Sequence, residues 1–314
     1  MVKQENISTL LQSAFESKGY KYRVVQASRA EELFQEINDR YDRGEIDAGV
    51  FDIELTPNFE QSPSLDFQPR SLFIMAGPSP PIRVMFEHES RSYSYTIPPT
   101  YRGFSDDVHP RTLLAGVLGP RGFKVSKARV PMKLLATRTG MSRYGKNNIS
   151  YIDGLGSFYR LEAAWSDYPV TSDEWHEPAA LDACAKCKAC QKACPTGAIV
   201  PDRFLVHVER CLTYFNENKP DFPAWVDVSW HNCLVGCLKC QLICPVNKHV
   251  KNWFVDGDTF SEDETRLIFD GASREQLSDA TYQKLEDLGL IGSPDDLEII
   301  GRNLRVLIER DAGS

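Results

Sequence analysis

The hydrophobic positions of this chain follow two periods. Ser28 and Glu31 form the signature of a capping box, and Leu33, Phe34, Ile37 and Tyr41 follow at helical spacing, which predicts a helix. The apolar run 71–76 suits a buried strand. Ile82, Val84 and Phe86 then alternate with polar residues, as do Tyr93, Tyr95 and Ile97 beyond a polar turn, which predicts a hairpin. Residues 110–118 and 131–139 read as helices, the second with Gly140 as its C-terminal cap. A second strand pair, 149–152 and 157–163, flanks the turn signal Asp153-Gly154. No Gly-rich nucleotide loop interrupts these elements.

Between 166 and 180 the pattern turns polar and irregular, with Pro169, Asp173, Glu174, His176 and Pro178, which marks a boundary. Beyond 252, helix starts are predicted at Ser261 with Glu264, at Ser273 with Gln276, and at Ser293 with Pro294. The last leads into Leu297, Ile300, Leu304 and Leu307. The pattern predicts an α+β protein in three parts: a mixed helix and strand domain (1–175), a cysteine module (176–252) and a small helical tail (253–314).

The 314 residues are enough for a large domain with a smaller module attached. No apolar stretch reaches the ~18 residues of a membrane span, and the N-terminus lacks an export signal, so a soluble cytoplasmic protein without membrane contact is expected. A formal net charge of −8 argues against nucleic acid, tRNA included, as a partner of the whole surface.

Composition changes the picture most at cysteine. All nine cysteines lie between Cys184 and Cys244, and such local concentration in a reducing compartment points to metal ligation rather than a disulfide framework. The first motif is Cys184-x2-Cys187-x2-Cys190-x3-Cys194-Pro195, which matches the bacterial ferredoxin spacing. Cysteines at such intervals wrap one iron–sulfur cubane, and the fourth departs with the proline toward a second. Soft, sulfur-rich iron requires thiolates. The second motif is Cys233-x3-Cys237-x2-Cys240-x3-Cys244-Pro245, with Cys211 standing alone before it. Ligand crossover assigns Cys184, Cys187, Cys190 and Cys244 to one [4Fe-4S] cluster, and Cys194, Cys237, Cys240 and one further cysteine to the other. Two cubanes take eight ligands, so either Cys211 or Cys233 is surplus, and spacing alone favours the nearer Cys233. Structural zinc sites are the alternative, but zinc ribbons do not require this Cys-Pro pattern twice. His207, His231 and His249 share the module, and a lone histidine is more often a satisfied core or surface residue than a ligand.

Several segments together resemble the epoxyqueuosine reductases, cobalamin-dependent enzymes of queuosine biosynthesis, and more distantly the reductive dehalogenases. They are Phe67-Gln68-Pro69-Arg70-Ser71-Leu72-Phe73-Ile74, Gly140-Met141-Ser142-Arg143-Tyr144-Gly145-Lys146-Asn147, Gly156-Ser157-Phe158, the first cysteine motif, Arg210-Cys211-Leu212-Thr213-Tyr214, and Gly236-Cys237-Leu238-Lys239-Cys240-Gln241-Leu242-Ile243-Cys244-Pro245-Val246-Asn247-Lys248. The resemblance spans roughly residues 65 to 248. It implies that Cys211 is the eighth ligand, because the family's lone ligand lies in an Arg-Cys-Ile-Ser-Tyr-like segment, and it leaves Cys233 a free thiol. It further implies a corrinoid-binding N-terminal domain, a cobalamin cofactor and an oxidoreductase of the cobalamin and iron–sulfur type. An electron donor such as a ferredoxin or flavodoxin, and a small-molecule substrate or a corrinoid protein, would be the partners.

The chain departs from the family pattern at the catalytic acid, and at the family's tryptophan before the Gly-Lys pair, where Arg143-Tyr144 stands. The reductases carry a catalytic aspartate in a Val-Asp-Ser-Ala-Pro-like segment; counting back from Gly145-Lys146 puts Ser126 there, and aligning on Pro131 puts Ala128 there. No Asp or Glu occurs between Asp107 and Asp153. Epoxide reduction needs a proton at the developing alkoxide, so a substrate other than epoxyqueuosine is expected. The acid-free stretch holds Arg111, Arg121, Lys124, Lys127, Arg129, Lys133, Arg138, Arg143 and Lys146. These are either solvated helix faces or cations that hold an anion or dock an acidic partner. Tyr144 and Lys146 are the candidate proton donors, and Arg129, Arg143, Lys146 and Asn147 the candidate corrinoid contacts. An electron-transfer protein that reduces a partner's corrinoid, and a non-catalytic corrinoid-binding protein, are the alternative functions.

Overall fold

A computed structural model describes residues 6–61, 63–104, 109–171, 173–218, 221–292 and 296–312. The chain forms two compact units, Met1–Pro78 with Phe104–Lys186, and Ser79–Gly103 with Cys187–Ser314.

The first unit is built on a four-stranded antiparallel sheet. Along the chain it contains α1 (Ile7–Glu16), β1 (Lys21–Gln26), α2 (Arg29–Asp42), the single turn α3 (Ala48–Val50), β2 (Ser71–Pro78), α4 (Pro110–Leu118), β5 (Val125–Lys127), α5 (Met132–Arg138), the short strands β6 (Arg143–Tyr144) and β7 (Ser150–Tyr151), and β8 (Tyr159–Ser166). The sheet order is β1-β2-β8-β5. Helices cover both faces, which is why β2 is buried at nearly every position and reads as an unbroken apolar run. On one face Leu11 and Phe15 of α1 and Leu114 and Leu118 of α4 pack on Phe73, Met75 and Ala164. On the other, Leu33 and Phe34 of α2 and Leu134 and Leu135 of α5 pack on Leu72, Ile74, Ala163 and Trp165.

Two expectations change here. Ser28 has helical backbone angles and its side chain caps nothing; α2 instead opens with Glu31 and Glu32 in its first turn. Residues 149–152 do not pair with 157–163 as a strand ladder. β7 pairs with β6, closed by a turn in which Gly145 N–H donates to Ile149 O and Asn148 takes a φ of 57°. β8 pairs with β2 and β5. It is buried over its second half and has a strand on each side.

In the second unit β3 (Ile82–His88) and β4 (Arg91–Ile97) form the expected hairpin, turned by Glu89 and Ser90, both at positive φ. β9 (Val255–Phe260) adds in parallel to β3. Its polar sequence, Val-Asp-Gly-Asp-Thr-Phe, carries no alternation that would have announced it. The short helices α6 (Ala189–Ala193), α7 (Leu212–Glu217) and α8 (Lys239–Leu242) carry the cysteine motifs. They are followed by α9 (Glu262–Phe269), α10 (Asp279–Asp287) and α11 (Asp296–Ala312). Ser261 and Glu264 make the expected capping box. The box at Ser273 and Gln276 opens only a 3-10 turn, and α10 begins later, capped by Ser278. The start at Ser293 and Pro294 lies outside the described residues. One core joins the hairpin to the tail: Val84, Phe86 and Tyr95 with Phe260, Ile268, Leu285, Ile300, Leu304 and Leu307, and with Leu234 and Val235 of the second cysteine loop.

Candidate iron–sulfur centre

The two Cys-Pro motifs produce the same local shape. In each, the third cysteine sits on a short helix, Cys190 on α6 and Cys240 on α8. The last cysteine leaves that helix extended: Cys194 at φ −73°, ψ 110° and Cys244 at φ −68°, ψ 123°. A following proline forbids the helical alternative. α6 and α8 pack against one another. All nine cysteines are free thiols. Among the described residues no three His, Cys, Asp or Glu side chains could hold a single metal ion.

Cys211 is the N-cap residue of α7, and its thiol feels the charges of Cys237 and Cys194, as the Cys233 thiol feels that of Cys237. Burial, with the charges of its two neighbours, pushes the Cys211 thiol up to about 11, against hydrogen bonds from the backbone and hydroxyl of Thr213. Cys233 is 1% exposed and donates to Asn232 Oδ1 at 3.1 Å. Burial raises its thiol well above the usual range. Asn232 is the hinge of this loop. It donates through Nδ2 to Cys237 Sγ at 3.2 Å and accepts from Leu238 N–H at 3.0 Å. Cys194 Sγ lies 3.5 Å from the buried Thr196 hydroxyl. Such contacts to sulfur set a cluster's potential.

The loop is pinned from both sides. Leu234 N–H donates to Thr96 O of β4 at 2.9 Å, and Asn303 Nδ2 of α11 donates to Leu234 O at 3.0 Å and Asn216 O at 2.8 Å. Arg302, also buried, donates to Phe215 O and Asn218 O at the end of α7 and lies over the Phe222 ring. Gly236, at φ +64°, faces Tyr101, whose hydroxyl would collide with any Cβ there and hydrogen-bonds Glu217 instead. Sequence reasoning missed Asn232, Tyr101, Arg302 and Asn303. The adjacent polar pair Arg302 and Asn303, set between Ile300 and Leu304 on an apolar helix face, was the available signal.

The three histidines take structural positions. His207 lies 2.8 Å from Glu209, His249 is exposed, and His231 is buried against Phe222, where burial together with Arg302, Arg310 and Lys239 lowers it to about 4.

In the first unit, Tyr144, Lys146 and Asn147 share the β6–β7 turn. Tyr144 is buried, its backbone bonds to Ala179 and Leu181, and burial raises its phenol. Asn147 is buried and donates to the Tyr151 hydroxyl at 2.9 Å, so it shapes the turn. Lys146 Nζ lies 3.4 Å from Ala185 O. Arg143 is 42% exposed, with loose contacts to Asp153 and Asp182 at 3.5 and 3.6 Å, and Arg129 reaches Pro57 O. Three further cations of the acid-free stretch meet acids from elsewhere in this unit: Arg111 with Glu162, Lys124 with Asp66, Arg138 with Glu36 and Glu177. Ser126 lies on β5 opposite Trp165, and Ala128 is buried in the core beneath α2 and α5.

Residues 183–247 match the 4Fe-4S double cluster binding domain. In sequence the chain is 31% identical over 134 residues to the epoxyqueuosine reductase of Francisella cf. novicida, covering 42% of this chain and 36% of that protein. It is 34% identical over 126 residues to that of Escherichia coli, covering 40% and 32%. In structure it superposes on the epoxyqueuosine reductase of Streptococcus thermophilus with a TM-score of 0.65 at 17% identity, covering 97% of this chain and 81% of that one. The Bacillus subtilis reductase gives 0.65 at 20%, covering 97% and 82%. The chain is thus similar to the epoxyqueuosine reductases, in part of its sequence and in its fold. Its matches span about a third of the length of the curated relatives, while the fold likeness to the reductases runs through nearly all of it. No helix among the described residues is long and apolar enough to cross a membrane.

Proposed function

We propose that this epoxyqueuosine reductase-like chain is an oxidoreductase that passes low-potential electrons through two [4Fe-4S] clusters to a bound cobalamin and reduces a substrate other than epoxyqueuosine. The ligands are Cys184, Cys187, Cys190 and Cys244 for one cluster, and Cys194, Cys211, Cys237 and Cys240 for the other. The donor set fits: free thiols in ferredoxin order, with Cys211 coupled by charge to both Cys194 and Cys237. Burial of the sulfurs and the Asn232 and Thr213 hydrogen bonds tune the potential.

Cobalamin, when bound, supplies a low-valent cobalt that reduces or attacks the substrate. The guanidinium of Arg143 and the ammonium of Lys146 have the chemistry to hold a phosphate- and amide-bearing corrinoid periphery, and Arg143 is partly exposed with only loose partners. Asn147 and Arg129 contribute by fixing the neighbouring backbone. Lys146 and the Tyr144 phenol are the proton donors of this reading. Tyr144 is the weaker, since burial makes it hold its proton.

The substrate half of the proposal rests on the missing acid. Strand residues directly opposite one another project to the same face, so Ser126 shares the α2/α5 face with Trp165. The nearest acid along β8 is Glu162. It lies three residues from Trp165 and therefore on the opposite face, about 10 Å along the strand. There it accepts from Arg111 N–H at 3.3 Å at the start of α4 and lies 3.0 Å from His109 Nδ1. It does not stand in for an aspartate at Ser126. Epoxyqueuosine offered to the reduced, cobalamin-loaded chain is expected to remain unconverted, and conversion overturns the substrate assignment.

The same gap favours a second reading, an electron-transfer protein that reduces a partner's corrinoid. Turnover of supplied small substrates by the loaded chain separates the two.

A further inference from the structure

We propose that the lysine-rimmed surface around α6, α8 and the turn after Cys244 docks an acidic one-electron carrier protein that feeds the clusters. The proposal rests on reading the cysteine module as electron wiring. Acidic residues outnumber basic ones in the chain, 44 to 36, yet none lies between Asp182 and Asp202 or between Asp227 and Asp256. Both cysteine motifs fall within these gaps. In the second unit the gaps carry Lys188, Lys192, Lys239, Lys248 and Lys251, of which all but the half-buried Lys239 are exposed.

In the first unit's acid-free stretch Arg111, Lys124, Arg138 and Arg143 meet carboxylates from other segments. These five lysines do not: none has an ion-pair partner among the described residues. α6 and α8 pack together, which brings lysines of both motifs to one locality. On the same segment Leu242 and Ile243, between Cys240 and Cys244, are 38% and 51% exposed. An apolar centre rimmed by like charge is the anatomy of a small transient interface. Net positive charge on an acidic protein fits an acidic partner and speeds its encounter.

Two features favour a protein over RNA. Neither gap contains an arginine, although arginine's planar fork is the better phosphate receptor. The exposed leucine and isoleucine also lie directly between cluster cysteines, where a carrier must approach for electron transfer. One electron leaves the reduced carrier, oxidising it by one unit, and one cluster is reduced by one unit. No bond forms or breaks, and no proton moves.

The test uses the full chain, reconstituted anaerobically, and follows bleaching of its iron–sulfur absorbance by stopped flow. The reductants are flavodoxin hydroquinone, which is acidic, and reduced methyl viologen, which is small and cationic. The flavodoxin rate is expected to fall steeply with added salt, and to fall roughly tenfold in the triple variant Lys188→Glu, Lys192→Glu, Lys248→Glu. Iron content should hold, and the viologen rate should not fall. Ile243→Ala should raise the flavodoxin concentration needed for half-maximal rate. A variant with the parent's flavodoxin rate and salt profile overturns the docking surface. So does one that keeps that rate but loses binding of an RNA stem–loop, which would assign the face to RNA. A parent chain with little iron, or one that viologen does not reduce, overturns the electron-wiring reading and the docking with it.

Discussion

Cys211 and Cys233 differ in the partners of their sulfurs. Both feel the charge of Cys237, and Cys211 feels that of Cys194 as well, whereas the Cys233 thiol donates to Asn232 Oδ1 within a loop packed into the core. Cys211→Ser should lower iron from about eight to about four per reconstituted chain, while Cys233→Ala should keep the full complement. Loss of iron in the second variant, measured by colorimetric iron and sulfide, would reverse the assignment. At this scale the sequence was legible where chemistry is carried by spacing. Cys-x2-Cys-x2-Cys-x3-Cys-Pro is local, and a proline after the last cysteine dictates its extended backbone. Over the surplus cysteine spacing and the family pattern diverge: spacing favours Cys233, which is nearer along the chain, and the family pattern favours Cys211. The residues that hold the site from a distance, Tyr101, Arg302 and Asn303, were not legible. Their partners are more than sixty residues away, and single-sequence reading has no register for such pairs.

Among the elements, α11 holds the second cysteine loop by hydrogen bonds and supports it by packing. It approaches α9 so closely that a Cβ on Gly301 would sit 2.5 Å from Ile268 O. Alanine ordinarily stabilises a helix interior over glycine by about 1 kcal/mol. Here Gly301→Ala should destabilise by roughly 1–3 kcal/mol, because the carbonyl it meets is fixed in a neighbouring helix. Chemical denaturation of the apo chain measures this, and a stabilised variant would contradict the packing. Helices with a strong apolar stripe, α2 and α4, and the hairpin β3–β4 were readable from periodicity. β9 was not, since its polar sequence becomes a strand only by pairing with β3. β8 was read as half of a local hairpin. Its buried run is instead satisfied by β2 and β5, and register between distant strands is a tertiary decision.

For the whole molecule, the cysteine window from Cys184 to Cys244 and the acid-free gaps around it are legible in composition alone. The grouping of residues 79–103 with the cysteine module is not, because a hairpin gives no sign in sequence of which core it will join. The 17–20% identity to the reductase structures preserves fold without fixing substrate, so the electron path and its cofactor are the central claim. The most direct measurement is the absorption spectrum of the full chain expressed and purified anaerobically with cobalamin supplied. Iron–sulfur absorbance is expected together with corrinoid bands at about one cobalamin per chain, and those bands should convert to the reduced form when the clusters are reduced. Iron–sulfur absorbance with no corrinoid bands, unchanged when cobalamin is titrated in, would contradict the central claim.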